Sequence, residues 1–142
     1  MKPLFIFCIV ITALTANSSK EKEQEQKMNI VGVWGISDLT YITPEGTQKI
    51  MEAEIKNGSA VTDFYFFTDG KYKQTSNMSG SGTLDTYEGT WKLNGNKLII
   101  SLLINDQLMD VDYTCELKNE LLVLTRTSPD EKMSIVNTFQ KK

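Results

Sequence analysis

From residue 30 onward, the chain consists of short runs in which apolar and polar residues alternate, separated by clusters of Gly, Asn and Asp. An apolar residue at every second position is typical of a β-strand that buries one face. No stretch keeps the 3.6-residue apolar repeat of an amphipathic helix over several turns. The pattern therefore predicts an all-β domain.

The predicted strands are joined by short turns. They cover residues 31–42, 47–56, 61–68, 71–77, 83–93, 97–104, 108–117, 121–127 and 132–139. Asn57-Gly58 and Asp69-Gly70 are dipeptides that favour tight hairpins. Because short connections join antiparallel neighbours, the strands should form an up-and-down meander. Closing this meander into an up-and-down barrel of eight or nine strands removes both exposed edges, so this is the fold that we predict.

The second predicted strand fits two structures. Met51, Ala53 and Ile55 alternate as they would in a strand. Ile50, Ala53 and Glu54 would instead share one face of a helix. We predict a strand over residues 47–56 and keep a lid helix as the alternative.

Alternation also assigns the faces of the strands. In the segment 108–117 the inward set is Met109, Val111, Tyr113, Cys115 and Leu117. Phe64 and Phe66 share a face opposite Tyr65 and Phe67, so these four side chains cannot all line the interior. One pair must be covered by a loop, a neighbouring strand end or a partner.

Both tryptophans of the chain lie in Gly-x-Trp steps, at Gly32-Val33-Trp34 and Gly89-Thr90-Trp91. In such a step the glycine lets a neighbouring backbone approach, and the indole two positions later points to the same face of the strand. A large side chain beside a close backbone contact is what the floor of a barrel requires. We therefore predict that both steps are structural.

The chain divides into three segments of different composition. Residues 1–18 combine Lys2, an apolar run and a small-residue end at Ser18, which is the pattern of a secretory signal peptide. Residues 19–29 are charged without an apolar stripe and predict a flexible tether to the domain at 30–142. The protein is expected to be exported, periplasmic or secreted, with no transmembrane span after signal removal. Cys8 comes too early and lacks small residues before it, which disfavours lipoprotein anchoring.

The charge is mildly acidic. The formal net charge is −3, and loss of Lys2 with the signal would change it to −4. Arg126 is the only arginine, and the lysines are interleaved with acids. Binding to nucleic acid needs a clustered basic face, so no nucleic-acid partner is expected.

The usual catalytic and metal-binding side chains are missing. The chain contains no histidine, which is the most frequent general base and neutral metal ligand. Cys115 would be the single cysteine after signal removal, so neither an internal disulfide nor a zinc cluster could form. Asp110 and Asp112 alternate along a predicted strand and indicate a solvated outer face. We expect no catalytic residue, no metal and no cofactor, and a protein that is not an enzyme.

The chain resembles the lipocalin-like domains of bacterial envelope proteins, relatives of the lipocalin and fatty-acid-binding barrels. The resemblance spans residues ~30–142 and rests on the GVW step at 32–34, FFTDGKY at 66–72, YEGTWKLNGNKL at 87–98 and LVLT at 122–125. In lipocalins the first-strand Trp packs at the closed end of the barrel beneath a basic side chain from a late strand. The resemblance implies that Trp34 is this floor residue and that Arg126 is the basic side chain. Gly32, Gly89 and Trp91 would complete the floor.

The remaining inward residues are candidate ligand contacts: Phe64, Phe66, Tyr72, Tyr87, Ile100, Leu102 and Tyr113. A small barrel can be filled by its own side chains or can hold one small ligand. With the resemblance, this leads us to expect a non-enzymatic exported binding protein for a small apolar or amphipathic ligand. The alternative is a cell-envelope protein-interaction module with a filled barrel, acting through an exterior patch or the loops at 79–82 and 105–107.

Overall fold

A computed structural model of the protein describes residues 30–142, which contain nine β-strands and one short helix. The elements are β1 (Gly32–Thr43), β2 (Gly46–Lys49), α1 (Glu52–Lys56), β3 (Thr62–Phe66), β4 (Lys71–Ser76), β5 (Asp85–Asn94), β6 (Lys97–Ile104), β7 (Gln107–Lys118), β8 (Leu121–Thr127) and β9 (Ser134–Lys141). The predicted signal peptide and tether lie outside the described residues, and both stay predictions.

The strands close into a barrel of eight strands with one extra strand. Neighbours follow the chain order from β3 to β9, and β1 closes the barrel by pairing with both β3 and β9. All pairings are antiparallel. The extra strand, β2, pairs only with the last residues of β1, from Thr40 to Thr43. The predicted all-β antiparallel up-and-down barrel is confirmed.

The strand predicted over residues 47–56 is wrong beyond Lys49, because the chain turns at Met51 and forms helix α1. Met51 has a φ of 53°, a left-handed conformation that ends the extended chain. The helix ends at Asn57, whose amide donates to the Ala53 carbonyl at 3.0 Å. Asn57-Gly58 therefore ends a helix and is not a hairpin turn, and Gly58 supplies the positive φ of 76° that such an ending needs.

Two distinct ends follow from the meander. The closed end contains the start of β1 and the turns β3–β4, β5–β6 and β7–β8. The open end contains the end of β1, the loop 77–84, the turn β6–β7 and the loop 128–133. Asp69-Gly70 forms the predicted β3–β4 turn. Asn105-Asp106 forms the β6–β7 turn, with φ values of 50° and 60° that match a tight hairpin of primed type.

The core fills the closed end and the middle of the barrel. Its buried side chains are Ile30, Trp34, Phe64, Phe66, Tyr72, Trp91, Leu98, Ile100, Leu102, Cys115, Leu122, Leu124 and Phe139. Phe64 and Phe66 are the pair that faces inward. On the outer face, the Lys73 ammonium lies 4.3 Å from the centre of the Tyr65 ring, and Phe67 is 44% exposed.

Candidate functional site

A cavity of about 250 Å³ opens at the open end of the barrel. Its lining residues are Leu39, Tyr41, Tyr113, Arg126, Ile135 and Asn137. They come from four strands that are neighbours around the barrel, in the order β1, β9, β8 and β7. The cavity therefore lies against one wall of the barrel, above the packed core.

The strand register arranges the lining residues in two levels. Tyr41 pairs with Ile135, which pairs with Arg126 on its other side, so these three side chains share the level nearer the mouth. Leu39 pairs with Asn137 one level deeper, and Asn137 pairs with the buried Leu124. The cavity is thus polar at its mouth and bounded by apolar core below.

A bulge in β1 determines which of its side chains reach the cavity. The pairing with β9 shifts register between Ile36 and Asp38, and the hydroxyl of Ser37 donates to the Thr138 carbonyl at 3.1 Å. An extra residue in a strand reverses the faces of all residues beyond it. Trp34 faces inward before the bulge, and the odd-numbered Leu39 faces inward after it.

The polar groups of the cavity have no hydrogen-bond or ion-pair partner within the described part of the chain. Arg126 forms no ion pair there, although Asp and Glu outnumber Lys and Arg in the sequence. The hydroxyls of Tyr41 and Tyr113 and the side-chain amide of Asn137 likewise make no hydrogen bond to residues 30–142. As far as residues 30–142 are concerned, these four groups can therefore bind water or a ligand.

Burial and charge act in opposite directions on the cavity tyrosine. Desolvation raises the pKa of Tyr113, and the positive charge of Arg126 partly offsets this rise. The phenol is therefore neutral at physiological pH and can donate a hydrogen bond. Together, Arg126 and Tyr113 offer a positive charge and a hydroxyl donor at the cavity mouth, which suits an anionic group.

Both indoles of the closed end donate to backbone carbonyls. The Trp34 indole N–H donates to the Ile30 carbonyl at 2.8 Å, and that of Trp91 donates to the Phe67 carbonyl at 3.0 Å. At Gly89, an added Cβ would lie 1.8 Å from the Ser101 carbonyl oxygen, so this position admits no side chain. Gly32 has a φ of +134°, a backbone conformation that residues with a side chain rarely adopt.

The expected role of Arg126 at the barrel floor is wrong. Arg126 pairs with Ile135 of β9, whereas Trp34 pairs with Lys141 of the same strand. Six residues separate these two positions, which corresponds to about 20 Å along a strand. The cation beside the Trp34 ring is the Lys141 ammonium, 5.7 Å from the ring centre.

The predicted ligand contacts fall into two groups. Five of them, Phe64, Phe66, Tyr72, Ile100 and Leu102, are buried in the core. The Phe64 and Tyr72 rings are 5.4 Å apart, and the Tyr72 hydroxyl donates to the Gln74 side-chain oxygen at 3.1 Å. Tyr87 is partly buried and packs against the core, while Tyr113 lines the cavity. A ligand-binding role for any of these residues stays a prediction.

Sequence reasoning missed four lining residues, Leu39, Tyr41, Ile135 and Asn137. The bulge hides the alternation of β1, because its inward residues change from even to odd numbers. Alternation in β9 would have put Ile135, Asn137 and Phe139 on one face. The closure of β1 against β9, which brings these side chains together, cannot be read from either strand alone.

The acids predicted to lie on outer faces make local polar contacts. Asp110 accepts a hydrogen bond from the Ser101 hydroxyl at 2.6 Å, and Asp112 pairs with Lys97 at 2.9 Å. In residues 30–142, no group of three or more Cys, Asp or Glu side chains is placed to hold a metal ion. No helix of this part of the chain has the length and apolar character needed to cross a membrane.

The model of the lipocalin-like domain family matches residues 30–124, so this chain belongs to that family. A lipocalin-like protein from Bacteroides uniformis has a similar structure, with 19% identity over 80% of this chain and 99% of that chain and a TM-score of 0.54. A protein from Bacteroides eggerthii aligns with 19% identity over 79% and 98% of the two chains and a TM-score of 0.48. The fluorescent protein UnaG aligns with 15% identity over 81% and 98%, with a TM-score of 0.44. No curated protein sequence matches this chain.

Proposed function

We propose that this protein is an exported, non-enzymatic binding protein that holds a small amphipathic anion in the open-end cavity. The observation that carries this proposal is the set of free polar groups around Arg126, within a cavity whose other walls are apolar. A binding site of this kind combines apolar walls with a few polar groups that orient the ligand.

The charge of the cavity favours an anion over a neutral ligand. Arg126 is the only ionised group among the six lining residues, and no carboxylate lies within ion-pair distance of it in residues 30–142. A carboxylate can accept two parallel hydrogen bonds from a guanidinium group. The hydroxyls of Tyr41 and Tyr113 can donate further bonds at the same level.

The size of the cavity favours a small ligand. Drug-sized ligands occupy pockets of roughly 300 to 1,000 Å³, and the cavity of about 250 Å³ lies just below this range. Leu39 and Ile135 would contact the apolar part of such a ligand, while Asn137 adds an amide below the mouth. A short carboxylic acid with an aliphatic or aromatic body fits this arrangement.

The composition of the cavity supports a binding role over catalysis. Its lining contains no acid and no cysteine, and the sequence has no histidine. General acid–base catalysis needs a group that exchanges a proton near neutral pH, which neither an arginine nor a tyrosine with a raised pKa supplies. Export is supported by the signal-peptide pattern of residues 1–18.

Competition between two ligands of equal chain length tests the proposal. Anilinonaphthalene sulfonate, an anionic dye that fluoresces in apolar sites, would be displaced by octanoate or by octanol. We expect octanoate to compete at a concentration roughly 10 to 100 times lower, because a charge-assisted hydrogen bond contributes about 1.5–3 kcal/mol. The Arg126→Met variant keeps an apolar side chain and should remove this preference.

Lys141→Met is the matched control, because it removes the cation beside Trp34 at the closed end. It should leave the preference for octanoate unchanged. The proposal is wrong if neither the dye nor octanoate binds, or if both variants behave alike. Separately, the intact mass of the protein recovered from outside the cytoplasm should lack residues 1–18. A full-length mass there would contradict signal cleavage, and absence of the protein from that fraction would contradict export.

A further inference from the structure

Exposed apolar side chains are concentrated around the mouth of the barrel. In the described chain, the large apolar residues that remain exposed are Ile42, Leu84, Leu103, Leu108, Met109, Met133 and Phe67. All but Phe67 belong to the strand ends and loops of the open end, and we name these six residues the open-end rim. Isolated exposed apolar residues are ordinary, but a concentration at one end of a domain indicates an interaction surface.

The β6–β7 hairpin forms the most prominent part of the rim. Leu103 and Leu108 are directly opposite each other in the ladder and lie on the outer face, with 58% and 71% of their surfaces exposed. The next pair of the ladder, Leu102 and Met109, lies on the inner face of the same hairpin. Leu102 is buried, and Met109 is half exposed. Both faces of this hairpin tip are therefore apolar, although only one of them faces the barrel.

The charge around the rim is strongly acidic. Within three residues of a rim residue along the chain lie seven acids, Glu45, Asp85, Asp106, Asp110, Asp112, Asp130 and Glu131, and one base, Lys132. Arg126 at the cavity mouth adds a second positive charge. Asp112 is paired with Lys97, whereas Asp106 and Glu131 form no ion pair within residues 30–142. Such a surface repels anionic lipids and a second copy of itself, and it attracts a basic partner.

We propose that the open-end rim is a docking surface for a basic amphipathic segment of a partner protein. The apolar side chains of that segment would cover Leu103, Leu108 and their neighbours, and its lysines or arginines would face the acids beside them. Because the rim surrounds the cavity mouth, the docked segment would also cover the cavity. The inference stands on exposure and charge alone and does not need a bound ligand.

Binding of two synthetic peptides to the purified protein tests this proposal. One peptide forms an amphipathic helix with leucine on one face and lysine on the other, and its matched control carries glutamate in place of lysine. We expect the lysine peptide to bind, to bind more weakly as salt increases, and to exceed the glutamate peptide at least about tenfold in affinity. Fluorescence anisotropy of the labelled peptides gives both affinities.

Three variants locate the surface. Leu103→Ser combined with Leu108→Ser, and Asp106→Asn combined with Asp110→Asn, should each weaken binding of the lysine peptide by about tenfold. Phe67→Ser removes an exposed apolar side chain at the closed end and should have no effect. Unchanged thermal melting of all variants shows that the fold is intact.

Several results would overturn the proposal. These are no binding of the lysine peptide, equal binding of both peptides, or equal loss of binding in the Phe67 variant. Self-association in sedimentation experiments, or binding to phosphatidylcholine vesicles that the rim variants abolish, would assign the rim to another occupant. Since no measurement here uses octanoate or the dye, failure of this proposal is distinguishable from failure of the proposed ligand.

Discussion

The closed and open ends of this barrel use similar residue types in opposite ways. At the closed end, the indole N–H groups of Trp34 and Trp91 are satisfied by backbone carbonyls, and the Tyr72 hydroxyl has a side-chain partner. At the open end, Tyr113 and Arg126 face a cavity and have no hydrogen-bond or ion-pair partner in the described chain. Buried polar groups that are fully paired stabilise a fold, whereas free groups in a cavity are available to a ligand. We therefore expect the stability of the fold to depend on the closed end and ligand binding to depend on the open end.

The largest effect is expected at Gly89. In Gly89→Ala, the added Cβ would lie 1.8 Å from the Ser101 carbonyl oxygen. This oxygen belongs to the backbone and cannot move aside as the end of a flexible side chain can. We expect loss of the folded state, or destabilisation of more than about 4 kcal/mol, in urea unfolding.

Gly95→Ala is the control for this substitution, because an added Cβ there meets no atom within 4 Å. It should cost only about 1 kcal/mol, from the positive φ of 60°. A stably folded Gly89→Ala protein would show that β5 and β6 are not packed as closely as described.

The next largest effect is expected at Trp34, which is 2% exposed. Trp34→Ala should lower the free energy of unfolding by about 3 to 5 kcal/mol, because it removes a large core side chain. Leu108→Ala, at the 71% exposed rim position, should change it by less than about 0.5 kcal/mol. If Trp34→Ala left stability unchanged and abolished dye uptake instead, Trp34 would be a binding residue. The assignment of stability to the closed end and of binding to the open end would then be wrong.

Alkaline pH should destabilise the closed half through Cys115. Burial, with the neighbouring Glu116, raises the pKa of this thiol from 9.0 to about 11. A native pKa above the unfolded value means that the native state holds its proton more tightly, so stability is full below pH 9.0 and falls between there and about pH 11. At about pH 10.5 the loss should be on the order of 2 kcal/mol relative to about pH 8.

Urea unfolding at these two pH values measures the loss, and Cys115→Ala supplies the comparison. The stability of the Cys115→Ala variant should depend less on pH. Part of the dependence should remain above pH 10.0, because burial also raises the pKa of Tyr72. An identical pH dependence in the variant and the original protein would contradict the assignment to Cys115.

The smallest expected effect is the difference in stability between two tyrosine substitutions, one at each end of the barrel. Tyr72→Phe removes a hydroxyl that donates to Gln74 from a buried ring, and it should cost about 1 kcal/mol. Tyr113→Phe removes a hydroxyl that faces the cavity, so stability should change by less than about 0.5 kcal/mol while octanoate binds more weakly. Equal costs in thermal or urea unfolding would show that the Tyr113 hydroxyl has a structural role.

Local patterns predicted most of the barrel. Alternation and turn residues were enough for β6 and β7 and for the hairpins at Asp69-Gly70 and Asn105-Asp106, because they depend on residues close to each other in the chain. The same reasoning failed at Asn57-Gly58, since a dipeptide that favours positive φ can end a helix as well as connect two strands. Only the conformation of the preceding residues, helical or extended, distinguishes a helix end from a hairpin turn.

The candidate site was less predictable than the fold. Tyr113 was found by alternation, but Arg126 was assigned to the wrong end, because the resemblance supplied its role while its place near the end of β8 sets its depth in the barrel. Leu39 and Tyr41 became inward residues only through the bulge that follows Ile36. A register shift of one residue reverses a strand face without leaving a clear sign in the local pattern.

Local patterns in the sequence were sufficient to predict an antiparallel β-barrel of the lipocalin-like type, its inward and outward faces in most strands, and the absence of histidine chemistry. The folded structure was needed to show that Lys141 lies beside Trp34, that Arg126 faces a cavity, and that six of the seven exposed large apolar side chains in residues 30–142 lie at the open end. The reason is physical. Alternation and turns act between residues close in the chain, whereas the cavity depends on the closure of β1 against β9 and on how far the core fills the barrel.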